Sequence, residues 1–527
     1  MKVPAFKHTI MRISAALEDE SQHLQAISSL VKYDPGLFLS LLLNCPATHG
    51  DSNVTTGCQA ASLMGSNAIK SLIAEHQHRV EDADTLILWH TATLTGEAAM
   101  RINERAPVAE PEEVFFAATL PYAGMLLMLE ARQDYQKLIP MLVKLSIEDR
   151  VYLEDRIFNI NHISILDGAT QLPLKYRDVL RLIKMERFPS TLRMLQADSI
   201  SRYSMAYEAS QLYRLSLSAE NMAQAIFFPF IVLAEENFKR INKRFFKISE
   251  NEAEELLTDI IGSYEVVCLD FGLEKAAAEL INEAIQFTVP ESKFLTVSAP
   301  LLRVLNKLFA ERHVEKNIVI SGEAGVGKRL LAKALHYHPE NPRRIKPFLS
   351  FHCDTMERET LEEELLGAKG GYWGHGQHKG AFDIADGGTI MLKDIHKMPL
   401  PLQERLADII SKIDYYRSRK IPSQNPDVLF IATSRPNLEE EAKQGRFSKM
   451  LLRALKPVSI NLPPLRERRD DIGLIADGII KKYKLPLQET SILLGLQELY
   501  DSDTFTENLS DLKRVLFYTA AKQMLKS

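Results

Sequence analysis

The sequence has 527 residues, which is too many for one hydrophobic core and suits two to four domains. Its hydrophobic content of 46% and charged content of 25% are ordinary for a soluble globular protein, and its net charge of -5 excludes a bulk attraction to nucleic acid or membrane. The 4 cysteines are scattered without metal-like spacing, and the first residues lack the apolar core of a signal peptide. No apolar run is expected to be long enough for a membrane span, which indicates a cytoplasmic protein without membrane contacts.

Residues 1–285 are predicted to be nearly all helical. Apolar residues recur there at helical spacing, and a strand-like alternation persists nowhere in the region. The clearest helical runs are 37–43, 112–129, 176–183, 200–215 and 252–267. The step Asp34-Pro35-Gly36 breaks the pattern ahead of the first run, and the stretch from Ser249 to Glu252 reads as a capping box that opens the last. An all-α domain is therefore expected.

Two segments of this helical region carry a resemblance to a known family. In Leu24–Asn44 an Asp-Pro step precedes a leucine-rich helix that ends in Asn, and in Val54–Gly65 an alanine is followed by a hydrophobic residue and Gly. These features resemble the HDOD family, the all-helical relative of the HD-GYP phosphohydrolases. Where catalytic relatives place a His-Asp dyad, the matching stretch Leu120–Gly124 has no metal ligand, and the nearby His90 stands alone. The resemblance implies a signalling or docking module without catalysis or a metal.

A linker and a change of pattern follow the helical region. Proline and mixed polar content indicate that residues 286–299 connect two domains. From Pro300 short apolar runs alternate with helical runs, which predicts a parallel α/β sheet with strands at 318–320, 348–351, 389–392, 428–433 and 458–462. Beyond Leu462 the pattern is helical over 472–483, 491–500 and 509–525. Residues 300–465 are therefore expected to form an α/β subdomain, and residues 466–527 a helical lid.

The first of these predicted strands leads into a glycine-rich loop and then into a helix. The loop runs from Gly322 to Lys328, and the helical pattern covers Arg329 to His336. This order is typical of a phosphate-binding P-loop, in which backbone N–H groups and the helix N-terminus bind phosphate and the lysine reaches the outer phosphates. The sequence therefore predicts ATP or ADP as the cofactor. The predicted binding residues are Gly322, Glu323, Ala324, Gly325, Val326, Gly327, Lys328 and Arg329.

Further motifs extend this likeness to the end of the chain. They are Glu364–Gly367, Gly380–Thr389, Pro401–Gln403, Gly445–Phe447 and Leu462–Ile472. Together with the P-loop they resemble the AAA+ domain of sigma-54-dependent transcriptional activators. The resemblance implies a multidomain protein, with an all-α HDOD-like N-terminal domain followed by an α/β P-loop AAA+ domain that has a small helical lid. It also implies transcription regulation through protein partners.

The positions that the resemblance aligns with the family's catalytic groups carry other residues. Lys393 stands where a magnesium-holding Asp is expected, and Asp394 stands where a water-activating Glu is expected. The other replaced positions are Ser434 for the sensor asparagine, Ser448 and Ala454 for the two trans-acting arginine fingers, and Ser510 for the lid arginine. No residue is therefore assigned as catalytic, and hydrolysis is expected to be poor.

Magnesium is not expected to hold the nucleotide in the usual way. Arg329 follows the P-loop lysine where a metal-binding hydroxyl often stands, and a charged lysine at position 393 cannot ligate a metal. The cations at positions 328, 329 and 393 could instead neutralise phosphate charge, which predicts little dependence on magnesium. Two alternatives stay open. A one-residue slip could bring Asp394 to the metal, or Lys393 could point into solvent.

The sequence defines the partner surfaces less well. The loop that contacts sigma-54 in the family matches Gly371–Gly376, which keeps an aromatic at Trp373 but has Gly374 at the threonine position. The family's DNA-binding helix-turn-helix has no counterpart before Ser527, so no direct DNA-binding domain is expected. The resemblance points to protein partners, with sigma-54 polymerase or an active AAA+ regulator as candidates, and it allows an oligomer.

Three functions agree with these patterns. The first is transcription regulation by an ATP-binding, hydrolysis-deficient protein that associates with an active activator or with sigma-54 polymerase. The second is a signalling scaffold outside transcription, in which both domains only bind partners. The third is a working ATPase with a rearranged site. Copurification with sigma-54 polymerase separates the first two, and ATP turnover identifies the third.

Overall fold

A computed structural model of the chain shows two compact units, Met1–Val289 with Ala521–Ser527 and Pro290–Ala520. The structure describes residues 3–18, 29–45, 54–75, 79–80, 82–168, 172–185, 205–228, 238, 241–248, 250–287, 317–338, 341–353, 365, 367–368, 378–418, 427–455, 458–487 and 506–526. The predicted loop at Gly371–Gly376, the predicted helix at 491–500, the capping residue Ser249 and residues 288–299 of the predicted linker lie outside these ranges.

The described part of the first unit is nearly all helical, as predicted. Its elements are β1 (Ala5–Phe6), α1 (Lys7–Glu18), α2 (Pro35–Asn44), α3 (Gly57–Glu75), β2 (Arg79–Val80), α4 (Ala83–Arg105), α5 (Pro111–Ala131), α6 (Ile139–Leu142), α7 (Ile147–Phe158), α8 (His162–Asp167), α9 (Leu174–Met185), α10 (Met205–Phe227), α11 (Glu250–Asp270) and α12 (Glu274–Phe287). A 3-10 helix at Gln133–Leu138 and a π-helix at Asn242–Phe246 complete them. The two-residue strands β1 and β2 pair in parallel, and they are too short to leave an alternating pattern in the sequence.

Helix α5 corrects the expectation that no apolar run is long enough to cross a membrane. Its length and apolar composition suffice for a span, and 83% of its most apolar window is buried inside the protein. Every residue from Glu113 to Met128 is buried, with α4 and α10 among the helices that pack against α5. A helix surrounded by others is apolar on all faces, so a core helix and a membrane span have the same composition.

The second unit is built on a five-stranded parallel sheet, as predicted. Its elements are β3 (Ile318–Ser321), α13 (Lys328–His336), β4 (Phe348–His352), β5 (Gly367–Ala368), β6 (His378–Lys379), α14 (Ala381–Ile384), β7 (Thr389–Lys393), α15 (Leu400–Ser418), β8 (Leu429–Ser434), α16 (Leu438–Lys443), α17 (Lys449–Leu455), β9 (Val458–Asn461), α18 (Asp470–Tyr483) and α19 (Leu509–Lys526). The strand order is β4-β7-β8-β3-β9, and β5 and β6 form a separate antiparallel pair.

Two buried clusters hold this sheet in place and fix the position of its edge. One contains Val319, Leu392 and Phe430 and packs against helices α15 and α17, and the other contains Ile320 and packs against α13. The central strands β3, β7 and β8 are buried on both faces and read as nearly continuous apolar runs, whereas the edge strands β4 and β9 are only partly buried. In a parallel sheet the carboxyl ends of the strands share one edge, and ligands bind there. The ends of β3, β8 and β7 therefore define the site.

Candidate functional site

The loop between β3 and α13 has the backbone of a P-loop. Gly322 and Gly325 have φ of 144° and 74°, in the region that favours glycine. A Cβ at Gly322 would lie 2.5 Å from the carbonyl oxygen of Leu462, and one at Gly325 would lie 2.4 Å from that of Glu507. A side chain at either position is therefore excluded both by conformation and by space.

Lys328 opens helix α13 and folds back over the loop. Its ammonium donates to the carbonyl oxygens of Gly322 at 2.7 Å and Glu323 at 2.6 Å. Burial lowers the pKa of Lys328 to about 8. The charge of Asp394 opposes this change, whereas the charges of Arg435 and Lys393 add to it. The ammonium thus lies among side chains from the ends of β7 and β8.

The helical lid binds the loop through Asn508, which is fully buried. Its side-chain amide donates to the carbonyl of Ala324 at 2.9 Å and to the carboxylate of Glu323 at 3.2 Å, and its oxygen accepts from the N–H of Leu465 at 2.7 Å. Arg466 holds the same Glu323 carboxylate with two hydrogen bonds, of 2.5 and 2.8 Å. This hydrogen bonding lowers the pKa of Glu323. One loop carboxylate is therefore shared by two residues that follow β9.

Two more contacts complete the junction between loop and lid. The N–H of Leu509, the first residue of α19, donates to the carbonyl of Gly325 at 3.2 Å. The buried guanidinium of Arg468 donates to the carbonyl of Val326 at 2.6 Å and to Asp471 at 3.3 Å. Each carbonyl from Gly322 to Val326 thus accepts a bond from the protein.

Unlike the carbonyls of this loop, several of its N–H groups have no acceptor among the described residues. In the hydrogen-bond network of the described residues, no protein acceptor takes the N–H of Gly325, Gly327 or Lys328. The first N–H groups of a helix have no partner within the helix, and several together form an anion site. The loop is therefore shaped to bind a phosphate, with its carbonyls held outward.

Lys393 and Asp394 both lie near the P-loop lysine. Lys393 ends β7 and is half-buried, and its charge acts on Lys328. Asp394 has a left-handed backbone with φ of 52°, and its N–H donates to the hydroxyl of Thr433 at 3.1 Å. Its carboxylate lies 3.6 Å from the Lys397 ammonium. Lys393 is thus half-buried at the end of β7, and its role toward a metal stays a prediction.

Ser434 and the residue after it have different environments at the end of β8. Ser434 is fully buried, and its hydroxyl donates to the carbonyl of Pro436 at 2.8 Å and lies 3.4 Å from Nδ1 of His396. Arg435 is exposed, and its charge acts on Lys328 and on His396. Arg435 could not be singled out from the sequence, because its position near the P-loop depends on the pairing of β8 with β3.

The two positions matched to arginine fingers are buried. Ser448 accepts from the N–H of Leu451 at 3.3 Å, and its own N–H donates to the Gln403 side chain at 2.7 Å. Ala454 lies in the hydrophobic cluster against the sheet, whereas the preceding Arg453 is exposed. Neighbouring helix residues differ by about 100° in direction, which separates the two environments. Neither buried position can present a charge to another chain.

The remaining predicted residues lie apart from the lysine. Ser510 is exposed on the first turn of α19, and Arg446 is exposed and bonded to Glu441 at 2.5 and 2.7 Å. Arg329 is half-buried on α13, and its charge acts on Lys482 of helix α18. The charges of Lys393 and Asp394 thus act on Lys328, whereas that of Arg329 acts on Lys482.

In the first unit, His90 is a hydrogen-bonded core residue. Its Nδ1 lies 2.6 Å from the hydroxyl of Tyr264 and 4.0 Å from the sulfur of Cys268. Burial lowers the pKa of His90 to about 4. Over the described ranges, no three His, Cys, Asp or Glu side chains lie close enough together to hold a metal.

An all-helical unit joined to a parallel α/β unit with a P-loop and a helical lid defines a P-loop protein of the AAA+ class. Two segments of the chain match known families in succession. Residues 3–167 match the HDOD domain, and residues 295–461 match the Sigma-54 interaction domain. Both resemblances inferred from the sequence are confirmed.

Individual relatives match part of the chain. The chain is 32% identical over 229 residues to the DNA-binding transcriptional regulator NtrC of Salmonella typhimurium, covering 41% of this chain and 48% of NtrC. It is 36% identical over 241 residues to the regulatory protein AtoC of Escherichia coli, covering 45% and 52%. The chain therefore spans about half the length of these curated relatives.

Solved structures also show similarity. One is NtrX from Brucella abortus in complex with ATP, with 21% identity, a TM-score of 0.35 and coverage of 54% of this chain and 69% of NtrX. Another is the MmoQ response regulator from Methylococcus capsulatus, with 19% identity, a TM-score of 0.38 and coverage of 49% and 98%.

The Asn508 contacts predict that Asn508→Ala loosens the lid. The change leaves the Leu465 N–H and the Ala324 carbonyl without their partner, which should cost about 1–3 kcal/mol. Hydrogen exchange of the α19 amides should then accelerate by about fivefold or more. Ser510→Ala, an exposed change two residues away, is the control and should alter stability by less than about 0.5 kcal/mol. Equal exchange in both variants would contradict the role given to Asn508.

Proposed function

We propose that this chain is a cytoplasmic, ATP- or ADP-binding regulator of transcription that hydrolyses nucleotide poorly and acts through protein contacts. The P-loop carries the proposal. Its carbonyls are held by the lid and by Lys328, while the N–H groups of Gly325, Gly327 and Lys328 are available to phosphate. Nucleotide binding at such a loop needs no rearrangement of the backbone.

Poor hydrolysis follows from the side chains around the loop. Trans-acting arginines stabilise the charge that develops during phosphoryl transfer. The matched positions, Ser448 and Ala454, are buried and uncharged, and Arg446 is held by Glu441. A general base would also have to come from Asp394, whose carboxylate lies near Lys397. These arrangements favour binding over turnover.

Independence from magnesium rests on Lys393. Its charge acts at the P-loop lysine, so an ammonium occupies the neighbourhood where a metal-binding carboxylate would be expected from the family resemblance. Like charges repel, and an ammonium close to bound phosphate replaces part of the neutralising charge of a metal. The structure supports Lys393 in this role and gives no such support to Arg329, whose charge acts on Lys482.

The regulatory part of the proposal rests on the two families and on the named regulators among the relatives. We propose sigma-54 polymerase or an active AAA+ regulator as the partner, with residues 371–376 as a contact. We also propose the domain limits 1–285 for the HDOD-like domain, 286–299 for the linker, 300–465 for the nucleotide-binding subdomain and 466–527 for the lid. The signalling scaffold stays the alternative if neither partner binds.

Lys328→Ala should weaken nucleotide binding by about tenfold or more, roughly 1.4 kcal/mol, because a charge-assisted contact to phosphate is lost. Calorimetric titration with ATP and with ADP measures the change. Lys333→Ala removes a lysine further along the same helix and should leave both affinities unchanged. Equal affinity in wild type and Lys328→Ala would show that nucleotide does not bind at this loop.

ATP turnover should be negligible beside that of a hydrolysing AAA+ protein, because a missing finger arginine alone can lower the rate by about 10³ or more. A phosphate-release assay at saturating ATP measures it. Turnover on the order of 1 per second that disappears in Lys328→Ala would instead establish an ATPase with a rearranged site.

Removing magnesium with EDTA should change ATP affinity by less than about threefold, because Lys393 supplies charge that the metal would otherwise supply. Lys393→Asp should make binding depend on magnesium. Lys393→Asp both removes the ammonium and adds a carboxylate. Lys393→Met removes the ammonium without adding a metal ligand, so it separates these two effects. A loss of about a hundredfold in wild type, roughly 2.8 kcal/mol, would mean that magnesium is an ordinary ligand here.

The full chain should copurify with sigma-54 polymerase or with an active AAA+ regulator when ATP is present. Trp373→Ala should reduce binding to the polymerase if residues 371–376 form the contact. Lys328→Ala tests whether association requires nucleotide. Recovery of neither partner from the native cell, with ATP binding intact, would favour the scaffold.

A further inference from the structure

Arg435 lies at the sheet edge where the P-loop begins. Strands β3 and β8 are parallel neighbours, and Ser321 pairs with Ser434. The next residues, Gly322 and Arg435, therefore leave the sheet side by side, with strands spaced ~4.8 Å apart. The carbonyl of Gly322 is one of the two acceptors that hold the Lys328 ammonium. Arg435 thus begins at the strand end that adjoins the phosphate-binding lysine.

The positive charge of Arg435 acts on two other side chains at this edge of the sheet, Lys328 and His396. Burial is the main cause of the lowered pKa of Lys328, and Arg435 adds to it. Burial likewise lowers the pKa of His396, and the charges of Lys397 and Arg435 add to that effect. Charges act on each other in this way only over short distances in water. This effect agrees with the strand pairing, which brings the backbone of Arg435 beside the start of the P-loop.

Several arginines elsewhere in the described part of the second unit are paired with carboxylates. Arg343 pairs with Asp427, Arg446 with Glu441 and Arg466 with Glu323. No carboxylate in the described part of this unit forms an ion pair with Arg435. An exposed guanidinium beside two other cations has most to gain from an anion that reaches all three.

Resting on the nucleotide site proposed above, we propose that Arg435 binds the terminal phosphate of a nucleoside triphosphate from within the same chain. In a P-loop the N–H groups hold the inner phosphates and the lysine reaches the outer ones. Because the backbone of Arg435 adjoins the loop that holds the lysine, its guanidinium would contact the outermost phosphate. A guanidinium can hold two phosphate oxygens at once, which a lysine cannot do in the same fixed geometry.

This contact distinguishes triphosphate from diphosphate without a neighbouring subunit. The buried Ser448 and Ala454 cannot supply an arginine in trans, whereas Arg435 is already at the loop in a single chain. Loss of the terminal phosphate removes the partner of Arg435 and leaves the loop contacts in place. The ratio of ATP to ADP affinity therefore depends on Arg435.

Calorimetric titration of the full chain with ATP and with ADP tests the proposal. Arg435→Gln should weaken ATP binding by about tenfold or more and ADP binding by less than about threefold. Arg435→Lys should retain part of the preference, because it keeps the charge but not the two-oxygen contact. Arg453→Gln is the matched control, since Arg453 is exposed on α17, and should leave both affinities unchanged.

The outcomes separate this inference from the function on which it rests. If wild type binds nucleotide, Lys328→Ala does not, and Arg435→Gln keeps the wild-type ratio of ATP to ADP affinity, the role of Arg435 is overturned and the nucleotide site stands. If Lys328→Ala binds as wild type does, the site is wrong and Arg435 loses its basis with it. The ratio within each variant is independent of the fraction of folded protein, so a destabilised variant still gives an answer.

Discussion

The P-loop depends on one buried amide. Asn508 joins the carbonyl of Ala324, the carboxylate of Glu323 and the N–H of Leu465, and it does so from a left-handed backbone with φ of 56°. A buried amide with its groups satisfied fixes geometry strongly, because each lost bond leaves a desolvated group without a partner. The loop is therefore shaped from outside by the lid, and its inner N–H groups are ready before phosphate arrives.

The shape of the loop also determines which charged side chains act at this edge of the sheet. Lys328, Lys393 and Arg435 bring three cations to one place, and Asp394 is the carboxylate whose charge opposes theirs most directly at Lys328. Glu323, the other nearby acid, is already neutralised by Arg466. An excess of positive charge repels a divalent cation and attracts polyphosphate. Under the proposed function, the same positive charge that attracts polyphosphate would weaken the binding of a metal.

Much of this architecture could be predicted from the sequence, and what could not depends on contacts between distant residues. Short apolar runs predicted all five sheet strands, most clearly the buried β3, β7 and β8. The glycines at 322 and 325 predicted the loop, and their positive φ and close contacts leave no room for a side chain. The roles of Arg435 and Asn508 needed the strand order and the lid packing, which local patterns do not encode. Helix α5 is a different case. Its apolar composition suits either a core helix or a membrane span, and composition alone does not distinguish the two.

The burial of Ser448 and Ala454 bears on how the protein could distinguish ATP from ADP. In a ring of hydrolysing subunits, an arginine from one chain reports the phosphate state of the next. Here an arginine at either position would have to be accommodated in the core, where an unpaired charge costs several kcal/mol. Arg435 avoids that cost because it is exposed at the loop of its own chain. On the role proposed for Arg435, the nucleotide state would be read within one subunit.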